Sequence, residues 1–175
     1  MSKLEILAPA GSMESLQAAL NGGADAVYFG YGQFNARRNA KNFDEEQFRE
    51  MAKACKARGV KMYMTLNTLV FDREMEDLKE SVRAACENGV DAILVQDLGV
   101  MELLRQWAPD IPLHASTQMA VHNVSGAKQM HELGFTRVVL AREMSAEEIK
   151  AVVDQVPVEV EVFVHGALCM CLSGQ

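Results

Sequence analysis

Short runs of alternating apolar and polar residues recur along this chain. Each is followed by a stretch in which apolar residues return every three or four positions. The first period belongs to a β-strand and the second to an amphipathic α-helix. Strands are predicted from Leu4 to Ala8, Ala26 to Phe29, Val60 to Leu66, Ala92 to Val95, Leu113 to Ser116, Arg137 to Ala141 and Val158 to Val164. Between them, Phe48, Met51, Ala52 and Cys55 share a helical face, as do Met75, Leu78, Val82, Ala85 and Cys86. Val100, Leu103, Leu104 and Trp107 form another, and Ile149, Val152 and Val153 begin a last one.

The helix ends are legible as well. Ser12 can cap a first helix and Gly22-Gly23 can stop it, while Asp44 to Gln47 and Ser145 to Glu148 read as capping boxes. Three junctions resemble one another: Gly23-Ala-Asp-Ala-Val-Tyr, Gly89-Val-Asp-Ala-Ile-Leu and Gly134-Phe-Thr-Arg-Val-Val. Each is a glycine stop, a polar turn and a buried β-rich run, so a βα unit is being repeated. Its short connections demand parallel strands. The expected fold is α/β, a TIM-barrel-like (β/α)8 arrangement, with a doubly wound open sheet as the rival. Pro9-Ala10-Gly11-Ser12 after the first strand lacks the dinucleotide-binding glycines, which favours the barrel. Seven strands and six helices fall short of closure, so residues 1–175 are expected to be a single catalytic domain truncated at its C-terminal end.

Composition narrows the class. At 175 residues and 49% hydrophobic content there is material for one core. Apolar runs are far shorter than the ~20 residues of a membrane span. The four cysteines are unevenly spaced and Met1 leads almost directly into a strand, so a cytoplasmic protein with reduced thiols is expected. Cys55 and Cys86 read as core residues, and most of the eleven methionines as gap-fillers. The formal charge is −7, yet Tyr31 to Phe43 carries Arg37, Arg38 and Lys41 with no acid. A +3 loop on a body of −10 points to one local anion site rather than broad nucleic-acid binding. Asn35, Asn39 and Asn42 between those cations add neutral donors.

Chemistry in a βα barrel collects at the carboxyl ends of the strands. Those ends carry Thr65 to Asn67, Gln96-Asp97, His114, Ser116 and Gln118, Arg142-Glu143, and Glu161 to His165, while the opposite ends read as plain turns. On the last strand Val158, Val160, Val162 and Val164 form one stripe, leaving Glu161 and His165 to face the barrel interior. Arg142 is the candidate partner for Glu161; a structural ion pair and a catalytic role are both open. His114 also faces inward, as a core histidine or a functional one. Asn67, Gln118 and Arg142, with Arg37, Arg38 and Lys41, are candidate substrate- or anion-binding groups. Glu161, His165 and His114 are the candidate catalytic ones. Cys169 and Cys171 form a C-x-C pair, compatible with a thiol nucleophile beside His165 or with part of a metal site.

Glu161, Phe163, Gly166, Ala167, Leu168, Cys169 and Gly174 match in register the signature E-x-F-x-x-G-[SA]-[LIVM]-C-x4-G-x-C. Leu7 to Gly11, Ala36 to Phe43, Thr65 to Thr68 and His114 to Gln118 match further segments of the same family. On these residues the chain resembles the N-terminal part of the collagenase-like peptidase (U32) family, ending inside the signature. The resemblance implies a TIM-barrel-like domain continued downstream. It also implies either peptidase activity or participation in iron–sulfur-dependent hydroxylation of a tRNA uridine or a ribosomal RNA cytidine. By that likeness Cys169 is the first ligand of a four-iron–four-sulfur cluster whose other ligands lie beyond the chain, prephenate is a cosubstrate, and a paralogous subunit is a possible partner. Cys171 falls outside the signature's fixed positions. A binding module without catalysis is the third reading. No complete serine triad, H-E-x-x-H motif or aspartate pair can be read here, which favours hydroxylation.

Overall fold

The computed structural model describes residues 4–36, 43–166 and 171–174. Seven strands, β1 Leu7–Pro9, β2 Ala26–Gly30, β3 Lys61–Leu66, β4 Ala92–Val95, β5 Leu113–Ala115, β6 Arg137–Val139 and β7 Glu159–Glu161, lie side by side in chain order. Every pairing is parallel. A doubly wound sheet must reverse its strand order at a switch point. This one never does, so it curls as a TIM-barrel-like part-barrel.

Six helices form the outer layer: α1 Met13–Asn21, α2 Glu45–Arg58, α3 Met75–Glu87, α4 Leu98–Trp107, α5 Val124–Glu132 and α6 Ala146–Gln155. Both expected capping boxes form. The Asp44 carboxylate accepts from the Gln47 backbone at 2.8 Å, and the Ser145 hydroxyl accepts from that of Glu148 at 3.3 Å. At the α3–β4 junction Gly89 adopts a φ of 68°, a conformation that side chains disfavour.

Strand alternation divides the core into two layers. Val27 and Phe29, Met62 and Met64, Ile93 and Val95, Leu113 and Ala115 face the helices and pack with Phe48, Met51, Leu78 and Leu104. Burying each of the larger side chains contributes about 1.5–3 kcal/mol. The other stripe lines the barrel interior, where Ala26, Tyr63, Ala92, Leu94 and Val139 form a smaller cluster. Phe29 and Phe48 meet edge to face at 5.1 Å and Tyr31 lies 4.9 Å from Phe48, fixing the end of β2 against α2.

The ends of the last two strands and the placement of Cys86 differ from expectation. The last strand stops at Glu161 instead of reaching Val164. Its neighbour β6 ends at Val139, and the bond from the Leu140 amide to the Glu161 carbonyl, 3.0 Å, is the last on that side among the described residues. Beyond it Phe163 is 49% and Val164 92% exposed. Alternation alone does not make a strand where the partner has ended. Cys86, expected in the core, is exposed. The buried stripe of α3 is Leu78, Ser81, Val82 and Ala85, and Cys86 lies beyond its edge.

Candidate functional site

The amino-terminal rim of the barrel is not a set of plain turns. Glu5 precedes β1, Lys61 opens β3, Arg137 opens β6 and Glu159 opens β7. Arg137 donates through Nε and Nη2 to Oε2 of Glu159, at 2.9 and 2.7 Å, and through Nη1 to Oε1 of Glu5 at 2.8 Å. Glu5 also accepts from the Tyr63 hydroxyl at 2.8 Å and from Lys61 Nζ at 2.7 Å. Burial alone would raise the Glu5 pKa, but hydrogen bonds from Lys61, Tyr63 and Arg137 outweigh it and bring it to about 2. Arg137 stays charged: its two carboxylate partners more than offset its burial. The guanidinium also lies over the Tyr63 ring, 5.1 Å from its centroid.

Two expected site residues join this network. Glu161 is paired with Arg137 at 3.5 Å and not with Arg142. Burial raises its pKa against the pull of Arg137. His114 faces inward as its alternation predicts and meets Tyr63 edge to face at 4.9 Å. Burial, helped by the Arg137 charge, lowers its pKa to about 3, so the imidazole is neutral. His165, expected inside the barrel, is exposed, because the strand that would have turned it inward ends four residues earlier.

The carboxyl-terminal mouth is a separate site. Asn67 follows β3, accepts from the Ala36 amide at 3.1 Å and donates to the Ser116 hydroxyl at 3.3 Å. Ser116 also accepts from the Gln118 amide at 3.4 Å. Beyond β6, Arg142 donates through its amide and Nε to the Ser173 hydroxyl, at 3.2 and 3.3 Å, and through Nη2 to the Cys171 carbonyl at 3.1 Å. The Ser173 amide donates to Glu143 at 3.1 Å. Gly174, at φ 91°, fits where a Cβ would stand 2.6 Å from that of Ala120 and 3.3 Å from the Gln118 carbonyl. Residues 171–174 are thus pinned across the ends of β5 and β6. The structure brings Asn67, Gln118 and Arg142 to one rim and keeps Glu161 and His114 with the Arg137 network. Arg37, Arg38, Lys41 and Cys169 lie outside the described residues.

Sequence reasoning missed Arg137, Glu5, Tyr63 and Ser173. An arginine opening an otherwise apolar buried strand was the one visible signal. Asp97, at a strand end, caps α4 by accepting from Gly99 and Val100 at 2.7 and 3.2 Å.

The sequence profile of Peptidase family U32 matches residues 11–175. The chain belongs to this family. It is 39% identical over 173 residues to tRNA hydroxylation protein P1 of Bacillus subtilis (strain 168), covering 99% of this chain and 41% of that protein. It is 40% identical over 173 residues to the 23S rRNA 5-hydroxycytidine C2501 synthase of Escherichia coli (strain K12), covering 99% of this chain and 26% of that one. The chain therefore spans well under half the length of these U32 relatives. The solved structure of the U32 peptidase Mk0906 superposes with a TM-score of 0.74 at 18% identity, over 93% of this chain and 69% of that one, a likeness of fold.

A four-iron–four-sulfur cluster needs about four thiolates. Among the described residues no group of three or more His, Cys, Asp or Glu is placed to hold a metal. Cys55 is buried, whereas Cys86 and Cys171 are exposed. The described residues do not fit a cluster. No helix among them is long and apolar enough to cross a membrane.

Proposed function

We propose that this chain is the substrate-binding barrel portion of an enzyme that hydroxylates an RNA base. The observation that carries this reading is the identity of 39–40%, over nearly the whole chain, to relatives named for tRNA hydroxylation and for hydroxycytidine synthesis in ribosomal RNA. The mouth supports it. Asn67, Ser116 and Gln118 form a neutral hydrogen-bonding rim suited to an uncharged base, and Arg142 adds a cation beside it. Arg37, Arg38 and Lys41, which follow β2 in the sequence, would take the phosphates or a dicarboxylate cosubstrate such as prephenate. The outer groove between α2 and α3, about 680 Å³, is a poor place for RNA. Asp44, Glu45, Asp77, Glu80 and Glu87 outnumber Arg49 and Arg83 along it.

In this reading Cys169 is the first ligand of a four-iron–four-sulfur cluster completed by the longer protein, which works in the cytoplasm, alone or with a paralogous subunit. Glu161 and His114 serve the barrel's internal network, and the exposed His165 remains a candidate for chemistry beside the cysteine loop. The engagement of Glu161 by Arg137 weighs against its use as a peptidase base.

Mass spectrometry of tRNA and ribosomal RNA nucleosides from a strain lacking the full-length gene tests the proposal. One pyrimidine nucleoside should lose an oxygen atom, and wild-type protein should restore it while Cys169→Ala should not. An unchanged nucleoside profile, together with peptide cleavage by iron-free protein, would establish the peptidase reading instead.

A further inference from the structure

Resting on the RNA-base reading only in taking the mouth as the substrate side, we propose that Arg142 couples an oxyanion site to residues 171–174. One edge of its guanidinium holds that segment, and the other takes a phosphate or a carboxylate.

An arginine fork has two edges, Nε with Nη2 and Nη1 with Nη2, and each can grip an oxyanion through paired bonds. In Arg142 the first edge is engaged by the chain itself. Nε donates to the Ser173 hydroxyl at 3.3 Å and Nη2 to the Cys171 carbonyl at 3.1 Å. Both acceptors are neutral, so these bonds leave the charge of the cation uncompensated. Nη1 takes no hydrogen-bond partner among the described residues. Arg137 shows the contrast, because its Nη1 faces two carboxylates, at 2.8 and 3.5 Å. The acid next to Arg142 is engaged elsewhere. One oxygen of Glu143 accepts from the Ser173 amide, and the other lies 3.7 Å from Nε2 of His122.

Hydrogen bonding holds the segment at few other points. No backbone–backbone hydrogen bond joins residues 171–174 to the barrel among the described residues. Ser173 is 3% exposed while Leu172 beside it is 62% exposed, so the serine is the anchor. Fixing a long arginine side chain costs conformational entropy. Whichever partner fixes Arg142 first spares the other that cost, so anion and segment favour each other, and the coupling is reciprocal. Ser173 acts on the anion through Arg142 and is a positioning residue.

Hydrogen exchange in the full-length protein, read at residues 171–174, tests this with inorganic phosphate, succinate and chloride at matched ionic strength. Phosphate or succinate should slow exchange there saturably and chloride should not. Whichever of the two acts at the lower concentration identifies the anion as a phosphate or a dicarboxylate. Arg142→Gln should abolish the response, and so should Arg142→Lys, which keeps the charge without the fork. Ser173→Ala should raise the half-saturating concentration about 5-fold, the effect of one hydrogen bond. A faster baseline in that variant with an unchanged half-saturating concentration would make Ser173 merely structural and overturn the coupling. Equal slowing by chloride, no slowing by either oxyanion, or a response that survives Arg142→Gln overturns it as well. The two readings fail separately. Anion-dependent protection with an unchanged RNA nucleoside profile sinks hydroxylation and leaves the coupling. A lost nucleoside oxygen with exchange indifferent to both oxyanions sinks the coupling alone.

Discussion

Arg137 on β6 reaches Glu5 ahead of β1, 132 residues earlier in the chain, with Nη1 2.8 Å from Oε1. No backbone ladder joins β7 to β1 in the described structure, so Arg137, which also holds Glu159 of β7, ties the two margins of the part-barrel together. Arg137→Met should cost the 175-residue chain about 3–5 kcal/mol, because it leaves the buried Glu161 without its cation and Glu5 with Lys61 alone. Glu159→Gln should cost no more than about 1 kcal/mol, since that carboxylate is 66% exposed. Urea denaturation of both variants checks the contrast, and equal losses would remove the network's special role.

Acid should weaken the fold through His114. Its folded pKa of about 3 lies below the ordinary 6.5. Between those values the unfolded chain binds more protons, so stability is complete above pH 6.5 and falls as pH falls. The slope approaches about 1.4 kcal/mol per pH unit for one proton. Glu5, held near 2 against an ordinary 4.5, adds a loss of the same sign below pH 4.5. Glu161, whose pKa is raised, works the other way just above its ordinary value. Denaturant midpoints against pH should show the slope in the wild type and a flatter profile between pH 4.5 and 6.5 in His114→Phe.

Thiol labelling should separate two cysteines that look alike in the sequence. Cys86 is exposed on α3, whereas Cys55 is enclosed in α2 with burial pushing its pKa up to about 11. A thiol reagent at neutral pH should modify Cys86 quickly and Cys55 only on unfolding. Peptide mapping reads both, and rapid labelling of Cys55 in the native chain would contradict its packing.

The pinned segment at the mouth offers a fourth test. Ser173→Ala removes the acceptor for the Arg142 amide and guanidinium, a loss of about 1 kcal/mol. Gly174→Ala adds a Cβ against Ala120 at a backbone angle disfavoured by side chains and should cost about 1–3 kcal/mol locally. Hydrogen exchange over residues 171–174 should accelerate in both variants while α2 and β3 keep their protection. Uniform acceleration would mean that the clamp is part of the global fold.

The candidate site was only partly legible. Asn67, Gln118 and Arg142 could be placed at the mouth because a strand's carboxyl end is a local property in a βα repeat. The acid at Glu161 was visible, but its partner was not. Arg142 is nearer in sequence, whereas Arg137 opens β6 and its side chain runs inside the barrel to three carboxylates.

By itself the sequence determined the order of strands and helices, the capping boxes at Asp44 and Ser145, the inward face of His114 and membership of Peptidase family U32. These depend on periods of two and 3.6 residues, on turn chemistry and on local motifs. Only the tertiary structure decided that β7 stops at Glu161, that Cys86 faces solvent, that His165 leaves the interior and that Arg137 gathers Glu5, Glu159 and Glu161. Each of these turns on which neighbour lies alongside. A strand continues only while its partner can accept hydrogen bonds, and a buried charge settles wherever folding has brought its counter-ions.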